Sequence, residues 1–292
     1  MAVAIALYEG GTMEDLTRRR SVLYLPAANA RAIEKARGLA ADCVILDLED
    51  AVAPDAKDAA RAAAVAAARA GGWGGRELLM RVNGIGTPWS TDDFASVAGA
   101  GFAGIVVPKV DSLADCAEAV RRAAGVPVWA MIETPRGVFA ADLIAAVPGV
   151  TALVAGMADL TKELRAHPGA NRLPLLYSLS RIVLAARAGN VLAFDGVFTD
   201  IRDDVGLEAE AQQGRSLGFD GKTLIHPGQI DIVNRVFAPT PAELDDARGL
   251  IAAYETALAA GKGVTTYQGK LVEVLHVAVA RRLLASVSGP QE

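Results

Sequence analysis

Hydrophobic residues fall in short continuous runs rather than in alternation over most of this chain. The runs are SVLYLP (21–26), CVILDL (43–48), LLMRVN (78–83), GIVVPK (104–109), PVWAMIE (127–133), TALVAG (151–156), VLAFDG (191–196) and GKTLIH (221–226). Continuous apolarity over so few residues marks strands covered on both faces, as in a parallel sheet. Alanine-rich stretches with helical spacing lie between them, at 55–70, 112–124 and 176–188. The first opens on Asp55, a residue type suited to an N-cap. About eight strands in βα alternation predict an α/β fold, a (β/α)8 TIM barrel. A doubly wound open sheet is the alternative, but no GxGxxG follows the first run. Beyond residue 239 the pattern changes to two amphipathic helical stretches, expected to pack on the barrel or on a neighbouring subunit. The predicted organisation is a leader over 1–17, a barrel over 18–238 and a helical extension over 239–292.

Composition narrows the function classes. With 292 residues, 52% hydrophobic, the chain can bury a full core. A net charge of −5 argues against a nucleic-acid partner, which needs a basic surplus. The N-terminal apolar stretch is too short to span a membrane and lacks a basic segment before it, so neither a membrane span nor a signal peptide is expected. Cys43 and Cys116 are the two cysteines, with no CxxC spacing, which fits a reducing cytoplasm.

The candidate chemistry stands at the ends of the runs, where a barrel carries its active site. Strand two ends in Asp47, Glu49 and Asp50, strand three carries Arg81 and Asn83, and strand four ends at Lys109. Glu133 and Asp159 follow strands five and six, Asp195 is in strand seven, and Lys222 and His226 are in strand eight. Glu133 and Asp159 suit Mg²⁺, with Mn²⁺ the alternative, because such ions favour oxygen donors and commonly take one or two carboxylates. The bland alternative is that each caps the following helix. Arg81, inside an apolar run, needs an anionic partner. It is expected to be oriented by Glu49 and Asp50 and to face a substrate, with Asp47 in a supporting role. Lys109 and Lys222 read as structural cations, His226 as a packed, hydrogen-bonded residue, and Trp129 as wall packing. Arg18, Arg19 and Arg20 read as a solvated basic face or as phosphate contacts.

Taken in order, RRRSVLYLPAANARAIEKA, DCVILDLEDAVAPDAK, RVNGIGTPW, GIVVPKV, MIETPRG, GMADL and LGFDGKTLIHPGQI resemble the citrate lyase β-subunit-like family, with its malyl-CoA and citramalyl-CoA lyases. The resemblance runs from Arg18 to the last helix. It implies a barrel assembled as trimers or hexamers and Mg²⁺ held by Glu133 and Asp159. Arg81 would bind and polarise a hydroxyacyl thioester, with Tyr24 and Lys35 as further substrate contacts. The reaction implied is reversible carbon–carbon cleavage to an acyl thioester and a keto acid. In many members a C-terminal acid from the neighbouring subunit completes the site. Here that motif reads Gly269-Lys270-Leu271-Val272-Glu273, with Glu273 where aspartate is usual. The carboxylate is carried about 1.5 Å further out. Pro26-Ala27 stands for the usual Pro-Gly, and Asn29 for a basic residue of the CoA-dependent lyases, leaving Arg20 and Lys35 for phosphates. The thioester carrier is therefore either CoA or an acyl carrier protein. The leading expectation is a lyase. Alternatives are a thioesterase, with Glu273 activating water, and a partner-dependent subunit that binds an acyl carrier.

Overall fold

The computed structural model describes residues 19–169 and 171–287. The leader expected at 1–17, and Arg18, lie outside the described residues. The described chain divides into two compact units, Arg19–Phe237 and a second from Ala238 onward.

The first unit is a closed eight-stranded parallel barrel in sequential order. Its strands are β1 (Ser21–Pro26), β2 (Cys43–Asp47), β3 (Glu77–Arg81), β4 (Gly104–Val107), β5 (Val128–Ile132), β6 (Val150–Ala155), β7 (Leu192–Asp195) and β8 (Gly221–Leu224). The surrounding helices are α1 (Ala30–Ala36), α2 (Lys57–Ala70), α3 (Ser90–Val97), α4 (Leu113–Ala123), α5 (Pro135–Ala145), α6 (Met157–Glu163), α7 (Leu176–Gly189), α8 (Asp204–Leu217) and α9 (Ile230–Phe237). Every residue of β2, β4, β5 and β8 is buried, as expected of strands walled by side chains inside and helices outside.

The period of two sorts each strand. Val22, Cys43, Ile45, Leu79, Val106, Trp129, Met131, Ala152, Val154 and Phe194 form one apolar cluster, with Tyr24 packed against it, and fill the barrel. Trp129 stacks on Phe194 with ring centroids 4.5 Å apart. A larger cluster, including Leu46, Met80, Ile105, Ile132 and Leu153, packs the outer faces against the helices. Continuing the inward series toward the C-terminal ends leads to Tyr24, Asp47, Arg81 and Glu133. The alternation that fills the barrel thus also delivers polar groups to its mouth.

From β2 to β8 the strands end one to two residues before the runs read from sequence, and β1 ends with its run at Pro26. Asn83, Lys109, Glu133 and His226 consequently lie in the loops just past the last ladder hydrogen bonds. Asp55 does not cap α2. Pro54–Ala56 form a 3-10 turn, and α2 starts after Ala56 with no side-chain cap. Pro54 presets this turn, because its φ is fixed and it has no N–H to satisfy. Ser112 does cap α4, its hydroxyl accepting from the Asp115 N–H.

The second unit contains α10 (Pro241–Ala259), a hairpin of β9 (Thr265–Tyr267) and β10 (Lys270–Val272), and α11 (Val274–Ala285). Thr240 and Glu243 close a capping box on α10. The second helix expected here is therefore shorter, and its first residues are a hairpin instead. The turn explains why: Gln268 (φ 48°) and Gly269 (φ 77°) both take positive φ, as a two-residue type I′ connection requires. Among the described residues no helix is long and apolar enough to cross a membrane.

Candidate active site

Arg81, the last residue of β3, is the hub of the barrel mouth. Its Nε and Nη2 each donate to a different oxygen of Asp47 at 2.6 Å, a two-pronged pair between adjacent strand ends that the β2–β3 register sets opposite each other. Its Nη1 lies 2.9 Å from Glu49 Oε2 as an ion pair without hydrogen-bond alignment. The guanidinium sits 4.9 Å from the Tyr24 ring centroid, and Met131 Sδ lies 3.8 Å from the Tyr24 hydroxyl. Burial works against this charge, but hydrogen bonds and charge from Asp47 outweigh it and hold Arg81 protonated well above its ordinary range. Burial likewise pushes the Tyr24 hydroxyl up, against the pull of Arg81, so it stays protonated.

Asp47 therefore holds Arg81 most tightly, ahead of the Glu49 and Asp50 that the sequence points to. Asp50 is exposed and approaches Arg81 only to 3.9 Å. The parity of β2 decides this: Asp47 continues the inward face of Cys43 and Ile45, whereas Glu49 and Asp50 come after the strand has ended. Asp47 also accepts the Glu49 N–H at 2.8 Å. The loop that carries Glu49 is clamped by Lys57, whose Nζ donates to the Leu48 and Glu49 carbonyls at 2.6 and 2.7 Å.

Beside this pair stands a carboxylate group tied together by Lys109. The Lys109 N–H donates to Glu133 Oε1 at 2.7 Å, and its Nζ lies 3.2 Å from Glu49 Oε1 and 3.7 Å from Asp159 Oδ2. Glu133 is buried, and its carboxyl is pushed up to about 7, first by burial and then by the Glu49 charge, with Lys109 opposing. Burial also raises Glu49, against the pull of Arg81. Asp159 lies in the first turn of α6, after Gly156. Gly156 is where the site needs a missing side chain, since a Cβ there would lie 2.3 Å from Glu133 Cβ and 2.4 Å from its Oε2. Gly156→Ala is expected to displace the Glu133 carboxylate and lower turnover on the order of a hundredfold, a loss typical of a misplacement of about 1 Å. Steady-state kinetics beside a thermal melt check this.

Lys109 carries more of the site than the sequence reading allots to it. One signal was available: its backbone is left-handed (φ 53°), a conformation a non-glycine residue adopts at a cost of about 1–2 kcal/mol, but that signal is structural, not sequential. Asn83, buried at the end of the β3 segment, is held by Asp93, which accepts from its N–H and its Nδ2 at 2.8 and 2.6 Å.

Other candidates fall outside this group. Asp195 and Lys222 are fully buried and do not line the mouth. They pair at 3.2 Å, Lys222 reaches Glu210 of α8 at 2.7 Å, and Arg172 reaches Asp195 at 2.7 Å. The reason is parity again, because Phe194 faces inward and Asp195 therefore faces the helices. His226 Nδ1 accepts from the Gly228 N–H at the turn after β8. Arg19 and Arg20 precede β1, at the N-terminal end of the strand, where Arg19 pairs with Glu77 at 2.7 Å and Arg20 with Asp42 at 2.9 Å. Arg20 is thus committed at the face opposite the mouth, which removes it as a phosphate contact. Lys35 is exposed in the last turn of α1. Glu273 is half-buried at the junction of β10 and α11, where its N–H donates to His276 Nδ1 at 3.0 Å.

The family model described as HpcH/HpaI aldolase/citrate lyase matches residues 20–227, and one described as C–C bond lyase of the TIM-barrel fold matches residues 185–287. A (3S)-malyl-CoA thioesterase of Cereibacter sphaeroides is 47% identical over 266 residues, covering 91% of this chain and 93% of the relative. The citrate lyase subunit beta of Leuconostoc mesenteroides is 35% identical, covering 93% and 94%. Among solved structures, protein CitE from Mycobacterium tuberculosis in complex with magnesium, acetoacetate and coenzyme A superimposes with a TM-score of 0.80 at 32% identity, covering 93% of this chain and 99% of that one. The likeness takes in the whole barrel with Asp47, Arg81, Glu133 and Asp159, and on that extent the chain belongs to the HpcH/HpaI aldolase/citrate lyase family.

Proposed function

We propose that this chain is a Mg²⁺-dependent enzyme that hydrolyses the CoA thioester of a short hydroxy acid of the malyl type. The observation that carries the substrate class is the standing of a fork-held guanidinium, Arg81, next to the oxygen donors Glu133 and Asp159 at one barrel mouth. Hydrolysis is placed ahead of carbon–carbon cleavage because the relative that is 47% identical is named a thioesterase, whereas the citrate lyase subunit is 35% identical.

The donor set fits the ion. Among the described residues no group of three or more His, Cys, Asp or Glu converges as a complete metal cage. A carboxylate pair with positions left to water and substrate is what Mg²⁺ favours, and Mn²⁺ shares the preference for oxygen. Gly156 leaves the space in which Glu133 sits. When bound, the ion would supply positive charge to the carboxylate and hydroxyl of the substrate's acid half.

The residues of the chain would do the rest. Arg81 would donate, from the edge that Asp47 does not occupy, to the thioester carbonyl oxygen as negative charge grows there. Water would add to the acyl carbon, the carbon–sulfur bond would break, and the thiolate would leave as CoA. Glu273 is the candidate base for the proton of that water, acting from a neighbouring copy in a homotrimer or hexamer. Lys35 and Tyr24 are retained as substrate contacts, Tyr24 through its protonated hydroxyl. The buried free thiols of Cys43 and Cys116 support a cytoplasmic setting.

Carbon–carbon cleavage is the second reading, favoured by the family description and by the citrate lyase subunit. The base would then take the substrate hydroxyl proton, and the products would be an acyl thioester and an oxo acid. That relative's being a subunit also keeps an acyl carrier protein open as thioester carrier. Malyl-CoA separates the reactions, because hydrolysis yields malate and free thiol, whereas cleavage yields glyoxylate and acetyl-CoA. Free thiol without glyoxylate is expected, stopped by EDTA and restored by Mg²⁺. Glyoxylate without thiol would establish the lyase instead.

A further inference from the structure

We infer that Lys109 sets the affinity of the Glu133–Asp159 pair for its divalent cation, pairing with Asp159 when no ion is bound and repelling the ion when it binds. The inference rests on the metal reading proposed above and adds a residue that opposes it. Lys109 touches every acid of the group: its N–H is on Glu133, and its ammonium lies 3.2 Å from Glu49 and 3.7 Å from Asp159. Both contacts of the ammonium are looser than the 2.7 Å of its backbone bond, and its side chain is 47% exposed. The chain is therefore anchored at its backbone and free to move at its tip.

The two parts act in opposite directions on a bound ion. The backbone bond aims Glu133, and the left-handed turn at Lys109 supplies that aim whatever the side chain is. The ammonium shares Asp159 with the incoming ion and adds like charge a few ångströms away, a repulsion that costs affinity. The ammonium already donates to Glu49 at 3.2 Å, an acid held also by Arg81 at 2.9 Å, so it keeps a partner when Asp159 is taken. A tuned, reversible metal site follows. Removing the positive charge should tighten the metal, although lysine is lost from the site.

Mn²⁺ alone is the probe, with the unbound ion counted by its electron paramagnetic resonance signal at pH 8.5. Asp159→Asn should lose Mn²⁺ binding, Lys109→Gln should bind on the order of tenfold more tightly than wild type at low salt, and Lys109→Arg should match wild type. The gain in Lys109→Gln should shrink as KCl is raised, since screening removes a charge effect and leaves a packing effect in place. Lys109→Met repeats the neutral case should the glutamine variant fail to fold. Unchanged or weaker Mn²⁺ binding in the neutral variants, beside a loss in Asp159→Asn, overturns the role of Lys109 alone. Full Mn²⁺ binding by Asp159→Asn, or none by wild type, overturns the metal reading and this inference with it.

Discussion

Arg81→Lys should lower kcat/KM on the order of a hundredfold to a thousandfold while leaving the protein folded. Arginine at this position makes two parallel bonds of 2.6 Å to Asp47. That fork fixes the plane of the guanidinium and therefore the direction of Nη1, which Glu49 approaches at 2.9 Å without hydrogen-bond alignment. Lysine keeps the charge that the buried Asp47 needs, so the cost to stability stays small. It cannot hold Asp47 and present a second, oriented donor at once. The magnitude is that of losing one preorganised donor to a developing oxyanion. Arg81→Met makes the contrast, because it leaves the buried Asp47 without its cation, while Glu49 keeps only Lys109. Breaking such a buried pair costs about 3–5 kcal/mol. Kinetics on malyl-CoA and thermal melts of both variants separate the two effects. Undiminished turnover in Arg81→Lys would remove Arg81 from the reaction.

The second large effect is on stability and lies away from the mouth. Asp195→Ala should destabilise the protein by about 3–5 kcal/mol, since it leaves two buried cations, Lys222 and Arg172, to share the Glu210 carboxylate. For a domain of this size about 1 kcal/mol moves the melting temperature by roughly 2–4 °C, so a fall on the order of ten degrees is expected. The loss has a pH signature. Burial raises the Asp195 carboxyl, but Lys222 and Arg172 outweigh it and hold it below the ordinary carboxylate range. A depressed folded value means the stabilisation is present above the ordinary range and fades as pH falls through the folded value. The gap between wild type and Asp195→Ala should therefore be full at neutral pH and narrow in that acid window. A gap that is constant with pH would show that Asp195 acts by packing alone. Turnover of the folded variant should be preserved, because the network faces the helices.

The residues of the site differ in how far the sequence alone marks them. Glu133 and Asp159 were legible because each follows an apolar run, and a barrel exposes what stands there. The prominence of Asp47 over Asp50 was legible in principle, since counting in twos from Cys43 places Asp47 inward. The same count would have turned Asp195 outward. Lys109 was not legible, since a lysine after a strand is common and only the left-handed backbone and three surrounding carboxylates distinguish it. The hairpin before Glu273 was missed for a related reason. VEVLHVAVARRLL is a strong helical pattern, and the Gln268-Gly269 turn that cuts it off from Tyr267 is a weak local signal.

By itself the sequence determined the barrel and its strand order, because burial on two faces writes itself as uninterrupted apolar runs, and short βα connections leave few topologies. It also determined which charges must find partners, since Arg81 and the strand-end acids stand too near the core to remain alone. Tertiary structure alone decided who those partners are. Asp47 meets Arg81 because the β2–β3 register sets them side by side, 34 residues apart in the chain. Lys109 meets Glu49, Glu133 and Asp159 because three separate loops and the first turn of α6 converge on one mouth. Pairing across strands depends on register and tilt, which no local pattern of residues encodes.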